Sequence, residues 1–88
     1  MRVRRREIVD EYAEDGRVAV FSSRHTVVVL SELATLAWSV IGDDWVDVDV
    51  VTAALVDEFG SPGPEESARV TTEQSLRALA DRALLEIE

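Results

Sequence analysis

The chain falls into a β-rich first third and a helical remainder, judged by where its apolar residues recur. Glu7 to Tyr12 carries Ile8, Val9 and Tyr12 and reads as a weak first strand. Glu14-Asp15-Gly16 supplies an Asp-Gly turn, a strong short-range hairpin signal because these residues accept the left-handed backbone such a turn requires. Arg17-Val18-Ala19-Val20-Phe21 follows as a second strand. The polar Ser22-Ser23-Arg24-His25 reads as another turn, and Thr26-Val27-Val28-Val29-Leu30 as a third strand, nearly all of it β-branched. Short turns between the three strands predict an antiparallel meander.

Ser31 is placed to cap a first helix. Leu33, Ala34, Ala37, Trp38 and Ile41 repeat at helical spacing, and Gly42 marks the end. Asp47 is a good N-cap for a second helix with Val48, Val51, Leu55 and Phe59 on its buried face and Gly60 after it. Ser61-Pro62-Gly63-Pro64 breaks the chain. Pro64 suits the first turn of a third helix, and Glu65 and Glu66 suit its positive end. Leu76, Leu79, Ala80 and Ala83 mark that helix's apolar stripe, and Leu84, Leu85 and Ile87 are expected to close the core. Runs of strands followed by runs of helices predict an α+β fold: a three-stranded antiparallel β-meander followed by three helices that cover one face of the sheet.

Size sharpens this picture. With 88 residues, the span 1–88 is expected to form a single domain. A domain of that size buries only about 60–65% of its unfolded surface, which leaves little room for a deep enclosed active site. The chain has no cysteine, so disulfides and thiolate metal sites are excluded. Met1 to Arg6 has the charge of a signal peptide, but Glu7, Asp10 and Glu11 interrupt the apolar stretch that should follow. No run approaches the ~18 apolar residues of a membrane span. A cytoplasmic protein is the expectation.

Nine basic residues, all arginine, stand against 18 acidic ones, for a net charge of −9. Such a field repels nucleic acid and anionic membranes, so neither is an expected partner. Arg2, Arg4, Arg5 and Arg6 are the exception and are read as a solvated terminal arm.

Candidate chemistry is sparse. His25 is the single histidine and lacks companions for a zinc site. Ser22, Ser23 and Ser31 lie in no Gly-x-Ser-x-Gly elbow, and no Gly-rich phosphate loop occurs. Asp43, Asp44, Asp47 and Asp49 lack the central Gly and terminal Glu of a calcium loop, so helix capping and solvation account for them. No catalytic residue, metal site or cofactor is expected.

The third strand is the unusual feature. Edge strands normally carry lysine, proline or a bulge that prevents unwanted pairing, and Thr26–Leu30 carries none. Such a strand is either covered by its own protein or free to accept a strand from a partner.

Several stretches resemble the PqqD-like family, the RiPP recognition elements, over about Arg4 to Glu88. They are Asp15-Gly16-Arg17-Val18-Ala19-Val20 and Val29-Leu30-Ser31-Glu32-Leu33-Ala34-Thr35-Leu36-Ala37-Trp38. Asp47-Val48-Asp49-Val50-Val51 with Leu55 and Glu58-Phe59 looks like the family's second helix, and Leu76, Leu79 and Leu84-Leu85 like its last. The resemblance implies a winged-helix-like PqqD fold and a non-catalytic protein. Such a protein binds the leader segment of a ribosomally made precursor peptide and presents it to a modifying enzyme or leader protease. It also implies strand addition along Thr26, Val27, Val28, Val29 and Leu30, with a groove wall from Thr72, Ser75, Leu76 and Leu79. Arg24 and Arg69 are candidate contacts for leader carboxylates. A lasso-peptide pathway is the preferred setting, and a monomer or weak dimer the expected state.

The chain departs from the family at several positions. Ser31 replaces the usual Asn, a harmless exchange since both cap helices. Thr71-Thr72 stand where Asp-Val is common, Ser75 near a usual Phe and Ala83 near a usual Gly. Small Thr72 and Ser75 are expected to leave room for a bulky leader side chain. Val28→Pro is expected to remove a ladder donor and so to test strand addition. Two alternatives stay open. One is a winged-helix DNA-binding regulator, although the third helix mixes Arg69, Arg77 and Arg82 with Glu65, Glu66, Glu73 and Asp81. The other is a structural homodimer pairing edge to edge through Thr26–Leu30.

Overall fold

The computed structural model describes residues 1–61, 63 and 65–88, without the side chains of residues 65–67. The expectations placed on Pro62 and Pro64, and on the side chains of Glu65 and Glu66, lie outside the described residues.

The meander forms as expected. Strands β2 (Ile8–Glu14), β3 (Arg17–Ser22) and β4 (Val27–Val29) pair antiparallel in that order, with β3 in the middle. Asp15 and Gly16 both take positive φ, 53° and 77°, the paired left-handed conformations of a tight hairpin turn. The second turn is tied by Ser22, whose amide donates to the Thr26 carbonyl and whose carbonyl accepts from His25. Its hydroxyl also accepts from the amides of Arg24 and Thr26.

Helix α1 (Glu32–Val40) starts where Ser31 Oγ accepts the Ala34 amide at 3.1 Å. Its last residue, Val40, lies two before the expected Gly42, with Ile41 as its C-cap. Helix α2 (Val48–Phe59) begins on the Asp47 carboxylate, which accepts the Asp49 amide at 2.9 Å, and ends at Gly60 with φ 81°. Val48, Val51 and Leu55 face the core as expected. Phe59 does not: it is 47% exposed, at the last turn, where α2 runs past the core.

Helix α3 (Glu65–Asp81) packs against α2 and buries Leu76 and Leu79. Leu84 N–H donates to the Leu79 carbonyl and Ala83 N–H to that of Ala80, the paired bonds of a Schellman end. Ala83 sits at the left-handed position of that motif, with φ 65°, and so lies beyond the helix it was expected to extend.

The N-terminus departs most from expectation. Residues 2–5 are not a solvated arm but strand β1 (Arg2–Arg5), the centre of a second antiparallel sheet. Strand β5 (Val46–Asp47) pairs on one side and β6 (Leu85–Ile87) on the other. Two physical causes hold it there. Val3 is 0% exposed and joins the core. The arginines meet charges and rings supplied by distant segments: Arg2 pairs with Glu88, and Arg4 with Glu86 at 2.8 Å. The Arg4 guanidinium lies 4.6 Å from the Trp45 ring centroid. The second sheet thus joins both ends of the described chain to the α1–α2 loop.

One continuous core unites the parts. Val20, Val28 and Leu30 from the meander, Trp38 and Ile41, Val48 and Leu55, Leu76 and Leu79, and Val3, Leu84 and Leu85 belong to a single buried cluster. No helix among the described residues is long and apolar enough to cross a membrane.

Candidate functional site

Strand β4 lies at the edge of its sheet, with β3 on one side only. Its side chains alternate as a pleated strand requires. Val28 is 7% exposed and Leu30 is buried, whereas Val27 and Val29 are 61% and 67% exposed on the outer face.

The backbone alternates too. The register pairs Ala19 with Val29, Val20 with Val28 and Phe21 with Val27. Leu30 N–H donates to Val18 O and Ser22 N–H to Thr26 O, at 2.8 and 2.9 Å. In an antiparallel ladder every second residue makes these exchanges. Thr26, Val28 and Leu30 therefore turn their backbone groups toward β3. The N–H and C=O of Val27 and Val29 point away from it. Among the described residues nothing pairs with that outward row. This overturns Val28→Pro as the probe of strand addition. Val28 N–H belongs to the internal ladder and its side chain to the core, so proline there attacks the fold itself.

The expected groove wall separates by depth. Leu76 and Leu79 belong to the same core cluster as Val28 and Leu30. Thr72 is buried, and its hydroxyl donates to the Ala68 carbonyl at 2.8 Å, which satisfies the polar atom inside the helix. Ser75 is half-buried. Thr71 and Thr72 also line a cavity of about 190 Å³ with Leu33, Leu55, Val56, Phe59 and Ala68. The half-exposed Phe59 thus has a place at that cavity's wall, which its helical spacing alone did not reveal.

The two candidate charge contacts differ. Arg24 is exposed, and its Nη1 donates to the Asp81 carbonyl at 3.2 Å, spanning from the β3–β4 turn to the end of α3. Arg69 faces Asp49 at 3.4 Å and Glu73 at 3.3 Å, so its charge is already met on the α2 side.

Beyond the expected residues, the outer face of the meander carries Tyr12, Ala19 and Phe21 in register with Val29 and Val27. His25, at φ 61°, sets its ring edge-on to Phe21 with centroids 5.7 Å apart. The period-two alternation could have located this face had the strand starts been known. Among the described residues no three His, Cys, Asp or Glu side chains gather as a metal site.

An antiparallel meander with an open third-strand edge, backed by a three-helix bundle, is the fold of the PqqD-like recognition elements that the sequence resembles. The structure of "TbiB1 in Complex with the TbiA(beta) Leader Peptide" matches it with a TM-score of 0.78. That match has 19% sequence identity and covers 97% of this chain and 96% of that one. No family model and no curated protein sequence matches the chain.

Proposed function

We propose that this protein binds the leader segment of a ribosomally made precursor peptide by adding it as a fourth strand to β4, and that it performs no catalysis. The observation that carries this reading is the outward row of Val27 and Val29 N–H and C=O groups on an edge with no proline, charge or bulge. Unpaired edge groups beside exposed valines are a hazard that a protein retains where a partner strand satisfies them. The likeness to TbiB1, described as bound to a leader peptide, supports the same reading.

Backbone pairing sets the peptide's register, and specificity comes from the helix side. There the half-buried Ser75, and the cavity that Thr71 and Thr72 line between α1, α2 and α3, are the positions assigned to peptide side chains. We further propose that the bound precursor is presented to a modifying enzyme or leader protease of a lasso-peptide pathway. A short precursor gene beside protease and cyclase genes is the expected neighbourhood.

The test is a titration of the fluorescently labelled leader of that neighbouring precursor against the wild type, Val27→Pro and Val29→Pro. Each proline removes one outward donor at an edge position where proline is tolerated. The expected result is at least a tenfold loss of affinity with the thermal melt retained. Equal binding by all three folded proteins excludes strand addition. Concentration-dependent mass without peptide would instead assign the edge to a homodimer.

A further inference from the structure

Charge is distributed unevenly between the arginines of this acidic chain. Arg2, Arg4, Arg5 and Arg69 each face a carboxylate: Glu88, Glu86, Glu11, and Asp49 with Glu73. Arg6, Arg17, Arg24, Arg77 and Arg82 form no ion pair among the described residues. Three of these five lie at the C-terminal end of α3, Arg24 by its guanidinium and Arg6 and Arg82 by their backbone positions. Arg82 follows the helix's last residue. Arg24 reaches it from the β3–β4 turn through its bond to the Asp81 carbonyl. Arg6, the residue after β1, is tied beside it by its backbone, its amide donating to the Leu84 carbonyl at 2.9 Å. All three are exposed. The carboxylates adjacent in sequence, Glu7 and Asp81, are also exposed and pair with none of them.

A helix C-terminus carries partial negative charge, which accounts for the attraction of cations to this point. It does not consume their hydrogen-bonding capacity. The Asp81 carbonyl takes one of the five N–H groups of the Arg24 guanidinium, and the remaining donors suit a carboxylate fork. The patch also lies at a defined end of the β4 edge, because Arg24 precedes β4 by three residues. A peptide pairing antiparallel to β4, as every strand pair here does, would leave the edge at this end on the C-terminal side of its paired segment.

We propose that Arg24 and Arg82, with Arg6 beside them, form an anion-receiving patch for Asp or Glu side chains of the leader just C-terminal to its paired segment. This rests on strand addition along β4 and adds a sequence requirement to it. On a chain of net charge −9, a local positive patch also orients an incoming peptide, because the overall field repels its acidic portion.

The experiment crosses two sets of changes, read by fluorescence anisotropy with the labelled leader of the neighbouring precursor. The protein is wild type, Arg24→Gln/Arg82→Gln or Val29→Pro. The peptide is native or has its Asp and Glu residues beyond the paired segment changed to Asn and Gln. The arginine change is expected to weaken the native leader about fivefold, the scale of two exposed charge pairs, and to leave the neutralised leader unaffected. Raising salt should erase the difference. Equal affinity of the wild type and the arginine variant for the native leader overturns the patch, as does a leader with no acidic residue in that segment. If the wild type binds both peptides alike, the patch also fails, even if the arginine variant proves unstable. Val29→Pro separates the two ideas. Weak binding there with no arginine effect leaves strand addition standing alone, and full binding there removes strand addition whatever the arginines do.

Discussion

The indole Nε1–H of Trp38 donates to a carboxylate oxygen of Glu11 at 2.6 Å, joining α1 to β2. Arg5 completes the cluster from β1. Its guanidinium lies 4.1 Å from the Trp38 ring centroid, and Nη1 lies 3.7 Å from Glu11. Its Nε donates to the Trp38 carbonyl at 3.2 Å. Trp38 is buried, so its N–H depends on this acceptor. Glu11→Ala is expected to lower unfolding free energy by about 1–2 kcal/mol, the cost of an orphaned donor. Glu11→Gln keeps an acceptor and should lose less. Urea unfolding followed by tryptophan fluorescence measures both.

Strand β1 is held by burial more than by charge. Val3→Ala is expected to cost about 1–3 kcal/mol, from lost apolar transfer and the cavity left behind. Arg4→Ala breaks a pair whose two side chains are about 40% exposed, so it should cost under about 1 kcal/mol. The same denaturation experiment ranks the two, and the order Val3 above Arg4 is the expected result.

Gly16 and Gly42 differ in backbone conformation. Gly16 sits at φ 77° with no heavy atom within 4 Å of an added Cβ, so the cost of Gly16→Ala is backbone strain alone. About 1 kcal/mol is expected. Gly42 also has open space and no positive φ, so Gly42→Ala should be near neutral. Thermal melts of the two variants should therefore separate.

What could be read from the chain follows from how local each signal is. The Asp15-Gly16 turn, the Ser31 and Asp47 caps and the apolar stripes of the helices act within a few residues, and each appears where its chemistry places it, except at the stripe ends Phe59 and Ala83. The second sheet was illegible for the opposite reason. Arg2-Val3-Arg4-Arg5 offers one apolar residue, and the charges of Arg2 and Arg4 are answered by Glu88 and Glu86 at the far end of the chain. Its partner strands are also only two and three residues long. The β4 edge was legible as an apolar run without guards. Its division into inward Val28 and outward Val27 and Val29 required the register. The patch at Arg6, Arg24 and Arg82 joins three segments distant in sequence, so spacing could not show it.

Ser75→Phe tests the helix side of the groove. A half-buried serine replaced by a large ring fills space that we assign to a leader side chain. Leader affinity is expected to fall about tenfold, the scale of losing one buried apolar anchor. Anisotropy titration, with circular dichroism as the folding control, reads the effect.

The most direct test of strand addition is residue-resolved amide hydrogen exchange at β4, with and without the leader. Val28 and Leu30 N–H groups already donate to β3, whereas those of Val27 and Val29 point outward. Leader binding is expected to slow exchange at Val27 and Val29 selectively and to change Val28 and Leu30 little beyond any global stabilisation. Unchanged exchange at Val27 and Val29 in a saturated complex would contradict strand addition.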